Sequence, residues 1–132
     1  MYPNTFYRVS VKAIIKNKEG QVLVLKENQD TWSLPGGGLD HGEDPKSGIA
    51  RELKEELGIK NPNIKDVATV KTFYLEHKSA WLLWIVYQVE VPEQKLALGN
   101  GVTDAQYLDT SALKHSEDIF EQMVYIVTKD ET

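Results

Sequence analysis

Alternating apolar and polar residues predict that the chain begins with a strand. Apolar side chains occupy every second position across residues 7–15, and the positions between them include Arg8, Ser10 and Lys12. A period of two is typical of a half-buried strand. Residues 17–20 then predict a hairpin turn, and the almost continuously apolar residues 21–26 predict a second strand.

A glycine-rich loop and a helix are predicted next. Gly36, Gly37 and Gly38 lack side chains, so their backbone can approach a ligand closely. Residues 45–57 have the signals of a helix, with Asp44 at the N-cap, a proline at the first helical position and Gly58 at the C-terminal stop. Apolar residues recur every four positions in this segment, which predicts one buried stripe.

The second half of the chain predicts more strands and a final helix. Residues 67–76 and 79–91 are rich in β-branched and aromatic side chains and predict a hairpin, and residues 81–87 are apolar throughout. Such a run predicts burial on both faces, which requires a layer on each side of the sheet. Residues 105–108 predict a short strand and 117–128 an amphipathic helix, whereas irregular residues 92–103 are a candidate substrate-side loop.

Three carboxylates share one face of the first predicted helix. Glu52, Glu55 and Glu56 are three and four residues apart, and each such pair destabilises an isolated helix by roughly 0.2–0.5 kcal/mol. Acids in the last turn also oppose the helix dipole. A bound divalent cation would reverse the sign of this repulsion. Taken alone, however, residues 51–57 would also suit a solvated amphipathic helix.

The wider spacing distinguishes these alternatives. Five residues separate Gly37 from Glu43, and seven separate Glu43 from the pair Arg51-Glu52. The pair Glu55-Glu56 follows, and then Gly58 and an aliphatic residue. This is a complete Nudix box over residues 37–59, a pattern that a random window matches about once in a billion. The chain therefore resembles the Nudix hydrolases, and the segment 32–36 before the box extends the resemblance.

The resemblance implies both a fold and an activity. The implied fold is α/β, a Nudix-like α/β/α sandwich with a mixed β-sheet between helices, formed as a single domain by residues 1–132. The implied activity is divalent-metal-dependent hydrolysis of a diphosphate bond in a nucleoside diphosphate derivative, with a nucleoside triphosphate or a dinucleoside polyphosphate as the expected substrate. The alternatives are a catalytically silent nucleotide-binding module, acting as a sensor or partner-recognition domain, and a structural protein.

The family pattern also implies roles for individual residues. Mg²⁺, with Mn²⁺ as a substitute, takes oxygen ligands and can bridge carboxylates and phosphates. The implied ligands are Glu52, Glu55, Glu56 and the backbone carbonyl of Gly36. Arg51 would orient the carboxylates, Glu52 and Glu55 would share the catalytic role with it, and Gly37 and Gly38 would contact substrate. Glu55 is one candidate for the general base.

Several assignments stay open at this point. Glu43 is expected to pair with Arg51 or to support the helix start, and His77 and His115 are expected in solvated turns. The remaining candidates are Glu90, Glu93 and Asp104 as further ligands or a late-loop base, His41 as a phosphate contact, Trp81, Trp84 and Tyr87 as base-stacking rings, and Tyr74 as a weak sign of dinucleoside polyphosphate hydrolysis.

The amino-acid composition limits the kinds of partner and chemistry that we expect. The 132 residues include 20 acids and 15 bases, a net charge of -5, which argues against bulk nucleic-acid binding and favours a small nucleotide. Without cysteine, disulfides and thiol chemistry are excluded. The sequence has neither a signal-peptide pattern nor a membrane-length apolar run, so we expect a cytoplasmic protein, either monomer or homodimer. Residues 37–59 hold six acids and three bases, which concentrates negative charge where cations would bind.

Overall fold

The computed structural model describes residues 6–27 and 30–130. Within them the chain forms six strands and two α-helices, in the order β1 (Tyr7–Ile14), β2 (Val22–Glu27), β3 (Gly36–Gly38), α1 (Pro45–Leu57), β4 (Asn63–Leu75), β5 (Ala80–Glu90), β6 (Val102–Leu108) and α2 (Ile119–Thr128). Two short 3₁₀ turns, Glu76–Lys78 and Thr110–Leu113, connect β4 to β5 and follow β6. No helix in this part of the chain is both long and apolar enough to cross a membrane.

A mixed sheet lies between the two helices. Its strand order is β3-β1-β5-β4, with β1 parallel to β5 and the other pairs antiparallel. Strands β2 and β6 form a second, antiparallel sheet. One core cluster joins the buried stripe of α1 (Ile49, Leu53, Leu57) to Val11, Ala13 and Tyr87, and another joins α2 (Met123, Val124, Val127) to Trp84 and Val86. The predicted α/β sandwich with a mixed sheet is therefore confirmed.

Helix α1 has the bounds that its end signals predict. The Asp44 side chain accepts hydrogen bonds from the amides of Lys46 and Ser47, which otherwise lack partners in a first turn. Gly58 ends the helix in the left-handed conformation, with φ of 64°. The irregular segment before β6 is bonded to the same end, since the amides of Ala97 and Gly99 donate to the carbonyls of Leu57 and Glu56.

The glycine-rich segment differs from its prediction. Gly36–Gly38 is a short strand paired with β1, with Gly36 opposite Lys12, and not a free loop. Because this pairing joins segments far apart in sequence, local composition does not reveal it. Elsewhere the predicted elements are present with shifted ends: β4 begins at Asn63, before the predicted start at residue 67, and α2 begins at Ile119 after an Asp118 cap.

The burial predicted for β5 is correct on one face and wrong on the other. Leu82, Trp84 and Val86 are buried against the α2 side, whereas Trp81 is exposed on the α1 side. The physical reason is the length of α1. Its 13 residues cover the sheet near Tyr87 and leave the amino-terminal half of β5 without a layer above it.

Candidate active site

A cavity of about 690 Å³ opens on the α2 side of the mixed sheet. Arg8, Ser10 and Lys12 of β1 line one part of it, beside the glycine strand β3. Trp84 and Phe120 supply apolar walls. The polar side chains that alternate with apolar ones along β1 therefore face this cavity. The sequence pattern alone predicts that they face solvent on the outside of the sheet.

Two box carboxylates are buried where α1 meets β3. Glu56 is 2% exposed and Glu52 8% exposed. Oε1 of Glu56 accepts a hydrogen bond of 2.8 Å from the Gly36 amide. A Cβ atom added to Gly37 would lie 2.9 Å from Oε1 of Glu52, and one on Gly36 would overlap the Val11 carbonyl oxygen. Glycine at position 37 thus lets the Glu52 carboxylate approach β3, and glycine at position 36 lets β3 lie close to the backbone of β1.

Arg51 connects the carboxylates of the box. Its Nη1 donates to Oε1 of Glu52 at 3.1 Å and to Oε2 of Glu55 at 3.2 Å. Its Nε donates to Oε2 of Glu43 at 2.7 Å, so the pairing expected for Glu43 is present. These contacts raise the pKa of Arg51 and lower the pKa of Glu43. The guanidinium therefore stays charged and fixes the carboxylates by charge-assisted hydrogen bonds.

The third box carboxylate has a different environment. The Glu55 side chain is 44% exposed, in contrast to its buried neighbours on α1. Its contact with Arg51 holds one oxygen in place. An exposed carboxylate that is positioned in this way can take a proton from water or accept a cation from solvent.

Lys12 and Glu27 complete the site, and sequence reasoning missed both. Lys12 Nζ lies 3.5 Å from the Gly36 carbonyl oxygen, and the Glu27 carboxyl at the end of β2 acts on the pKa of Glu56. Burial and the Glu27 contact raise the pKa of Glu56 to about 9. Burial lowers the pKa of Lys12, against the opposing effect of Glu56. In sequence these two residues are ordinary polar positions of strands.

The donor set suits a hard cation. Glu52, Glu55, Glu56 and the Gly36 carbonyl offer only oxygen atoms, which Mg²⁺ and Mn²⁺ prefer. Across residues 6–27 and 30–130, no three acidic or histidine side chains already converge on one point. Side-chain cations contact the donors instead: Arg51 pairs with the carboxylates of Glu52 and Glu55, and Lys12 donates to the Gly36 carbonyl oxygen. The full ligand set stays a prediction.

Other candidates from the sequence have different surroundings. Glu90 pairs with Lys65 at 2.7 Å, Glu93 lines a separate cavity, and Asp104 accepts hydrogen bonds from Ala105 and Gln106 within β6. These contacts lend no support to a ligand role.

The aromatic candidates are distributed over both faces of the sheet. Trp84 lines the cavity, and His77 also contributes to its lining from the Glu76–Lys78 turn. Tyr87 packs in the α1-side core. Tyr74 and Trp81 contact each other on the α1 side, with ring centroids 5.1 Å apart, so they lie away from the cavity.

Comparison with known proteins agrees with this geometry. A family model described as the NUDIX domain matches residues 6–127. The chain belongs to the Nudix family. It is 32% identical over 111 residues to an RNA pyrophosphohydrolase of Vibrio cholerae, a match that covers 72% of this chain and 64% of that protein. The chain thus spans less than two thirds of this relative.

Solved structures share the fold. A MutT protein from Methanosarcina mazei Go1 superposes with a TM-score of 0.78 at 23% identity, covering 99% of both chains. An Ap4A hydrolase of C. elegans gives a TM-score of 0.72 at 20% identity, covering 93% of this chain and 94% of that one. The similarity extends over nearly the whole chain and places both helices and the mixed sheet in one known architecture.

Proposed function

We propose that this chain is a divalent-metal-dependent hydrolase of a diphosphate bond in a nucleoside diphosphate derivative. The observation that carries the proposal is the burial of Glu52 and Glu56 against a glycine strand at the edge of a cavity with basic and aromatic walls. A family relative named RNA pyrophosphohydrolase supports the same bond type.

The cation is the part of the chemistry that the side chains cannot supply. When bound by Glu52, Glu55, Glu56 and the Gly36 carbonyl, Mg²⁺ would withdraw charge from phosphorus and lower the pKa of a water ligand. Neutral Glu56 would lose its proton on loading, because a carboxylate ligand must be ionised.

The protein groups have positioning roles that follow from their contacts. Arg51 fixes Glu52 and Glu55 relative to each other, and Glu43 fixes Arg51. Glu55, the most exposed of the three box carboxylates, would accept the proton of the attacking water. The backbone of Gly37 and Gly38 lines the cavity without side chains, so a phosphate can approach β3 closely.

The cavity walls favour a nucleotide as the carrier of the diphosphate. Arg8 and Lys78 add positive charge to the lining, which suits phosphates. Phe120 and Trp84 add apolar surface, on which a base can pack. We expect a nucleoside triphosphate or a dinucleoside polyphosphate as the substrate. The relative named RNA pyrophosphohydrolase suggests a third class of substrate, 5′-triphosphorylated RNA.

A substrate panel tests the proposal. Purified protein with Mg²⁺ is incubated with nucleoside triphosphates, dinucleoside polyphosphates, nucleotide sugars and 5′-triphosphorylated RNA, and released phosphate, diphosphate and nucleotide are quantified. We expect hydrolysis of at least one class and a loss of about 100-fold or more in Glu56→Gln. The matched control is Glu117→Gln, which makes the same change at an exposed acid. Nucleotide binding without turnover would favour the silent sensor module instead.

A further inference from the structure

An exposed apolar surface lies on the α1 side of the mixed sheet, where α1 does not cover it. It is formed by Tyr7 of β1, Trp81 of β5, and Val67, Val70 and Tyr74 of β4, and we call it the open sheet face. Each of these side chains is between 39% and 51% exposed. Strand register places Tyr7, Trp81 and Tyr74 in one row across three strands.

The open sheet face is continuous. Ring centroids are 5.9 Å apart for Tyr7 and Trp81 and 5.1 Å apart for Tyr74 and Trp81. Further along the strands, Val70 lies opposite Ile85 and Val67 opposite Tyr87. Leu83 and Ile85 of β5 are partly buried between the row of rings and the valines. Apolar side chains therefore extend from the rings to the edge of the α1 core.

The described strand positions that form this surface carry no charged side chain. The alternate positions that share the α1 side carry Tyr7 and Val9 in β1, Trp81, Leu83 and Ile85 in β5, and Val70, Thr72 and Tyr74 in β4. Other exposed apolar residues of the described chain include Leu98, in the irregular segment before β6, and Ile126, on α2. A contiguous apolar patch of this kind typically marks an interaction surface.

The area suits a small protein interface. An aromatic side chain carries roughly 150–250 Å² of surface, so the exposed parts of three rings give roughly 60–100 Å² each. With the valines and the partly exposed residues between them, the open sheet face offers roughly 300–500 Å² per copy. Two copies face to face would bury roughly 600–1,000 Å² of apolar surface, and the upper end of this range reaches the roughly 1,000 Å² expected of a small, weak interface.

We propose that the open sheet face is a homodimer interface, occupied by the same face of a second copy of this chain. Interface cores are rich in Tyr and Trp and poor in charge, as this face is. Every copy has a net charge of -5, so an uncharged contact avoids adding local repulsion between copies. In a two-fold dimer, the ring row of one copy can pack on the valines of the other, which makes the surface self-complementary. The absence of basic side chains from these positions argues against a nucleic-acid partner.

Sedimentation velocity tests the proposal over a concentration series from about 1 to 100 µM. We expect the wild-type chain to shift from the mass of one chain to that of two. Val70→Lys and Trp81→Gln should stay monomeric over the same range, because each places a polar or charged group within the contact. Ile126→Lys is the matched control, since Ile126 is 39% exposed on α2 and lies outside the face. Circular dichroism and urea unfolding verify that the variants are folded.

Either of two results would overturn the proposal. A wild-type chain that stays monomeric up to about 100 µM would leave the face to a different protein or to a lipid surface. A dimer that both face variants retain, or that Ile126→Lys disrupts equally, would place the interface elsewhere. Neither result bears on hydrolysis, which the substrate panel tests separately.

Discussion

The carboxylate of Glu56 accepts a hydrogen bond of 2.8 Å from the amide of Gly36. This contact joins helix α1 to the glycine strand β3, and it places a buried acid next to a backbone carbonyl that is itself a candidate ligand. The Glu27 carboxyl helps to raise the pKa of the same glutamate, so strand β2 also contributes to its environment. The site is therefore built from three segments that are distant in sequence, and its response to substitution and pH follows from their contacts.

Gly37→Ala should impair metal binding more than folding. The added Cβ would lie 2.9–3.0 Å from the Glu52 carboxylate and force that side chain to shift. We expect at least a tenfold loss of Mn²⁺ affinity, with a melting temperature close to that of the wild type. Isothermal titration calorimetry and thermal melts measure the two effects.

Gly42→Ala is the control for this prediction. Gly42 has φ of 79° and no heavy atom within 4 Å of an added Cβ. Alanine there costs roughly 1–2 kcal/mol of backbone strain and should lower stability without changing Mn²⁺ affinity. The reverse pattern in the two variants would contradict the close-approach role of Gly37.

Arg51→Lys should lower both turnover and stability. The lysine ammonium cannot bond Glu43, Glu52 and Glu55 simultaneously as the guanidinium does. We expect a loss of about 1–3 kcal/mol in the free energy of unfolding, measured by urea denaturation. Glu43→Gln, which weakens the contact that holds Arg51 but leaves Glu52, Glu55 and Glu56 unchanged, should give a smaller effect of the same sign. Equal turnover in Arg51→Lys and wild type would show that the carboxylates need no such positioning.

The metal-free protein should lose stability as pH rises. The pKa of Glu56 is raised to about 9 in the folded chain, above its ordinary value of 4.5. Between these values the folded state binds more protons than the unfolded state, so this contribution to stability is complete below about pH 4.5 and is lost as pH rises through about 9. Thermal melts in the presence of a chelator at a series of pH values measure the decline.

Two variants identify the group responsible for this pH dependence. Glu56→Gln can still accept from Gly36 and should remove most of the decline, making the variant the more stable protein at pH 8. Glu27→Gln removes a neighbouring negative charge, so it should lower the Glu56 pKa and move the decline to lower pH. An unchanged profile in Glu56→Gln would assign the pH dependence to another group.

Local signals explain which features were predictable. The bounds of α1 follow from Asp44 and Gly58, whose capping roles depend only on neighbouring residues. Lys12 and Glu27 were missed because their proximity to Glu56 results from strand pairing and helix packing over long sequence separations. The exposure of Trp81 was missed because an apolar run does not reveal how far a covering helix extends. The spacing of the Nudix box identified Glu52, Glu55 and Glu56 as candidate site residues, but it did not reveal that Glu52 and Glu56 are buried and Glu55 is exposed.

Mn²⁺ binding to the metal-free protein tests most directly whether the box carboxylates hold the cation on which hydrolysis depends. Electron paramagnetic resonance of free Mn²⁺ gives the number of bound ions and their affinity without requiring a substrate. We expect saturable binding by the wild type and by Glu117→Gln, and an affinity at least about tenfold lower in Glu52→Gln and Glu56→Gln. Equal affinity in all four proteins would contradict the assigned site.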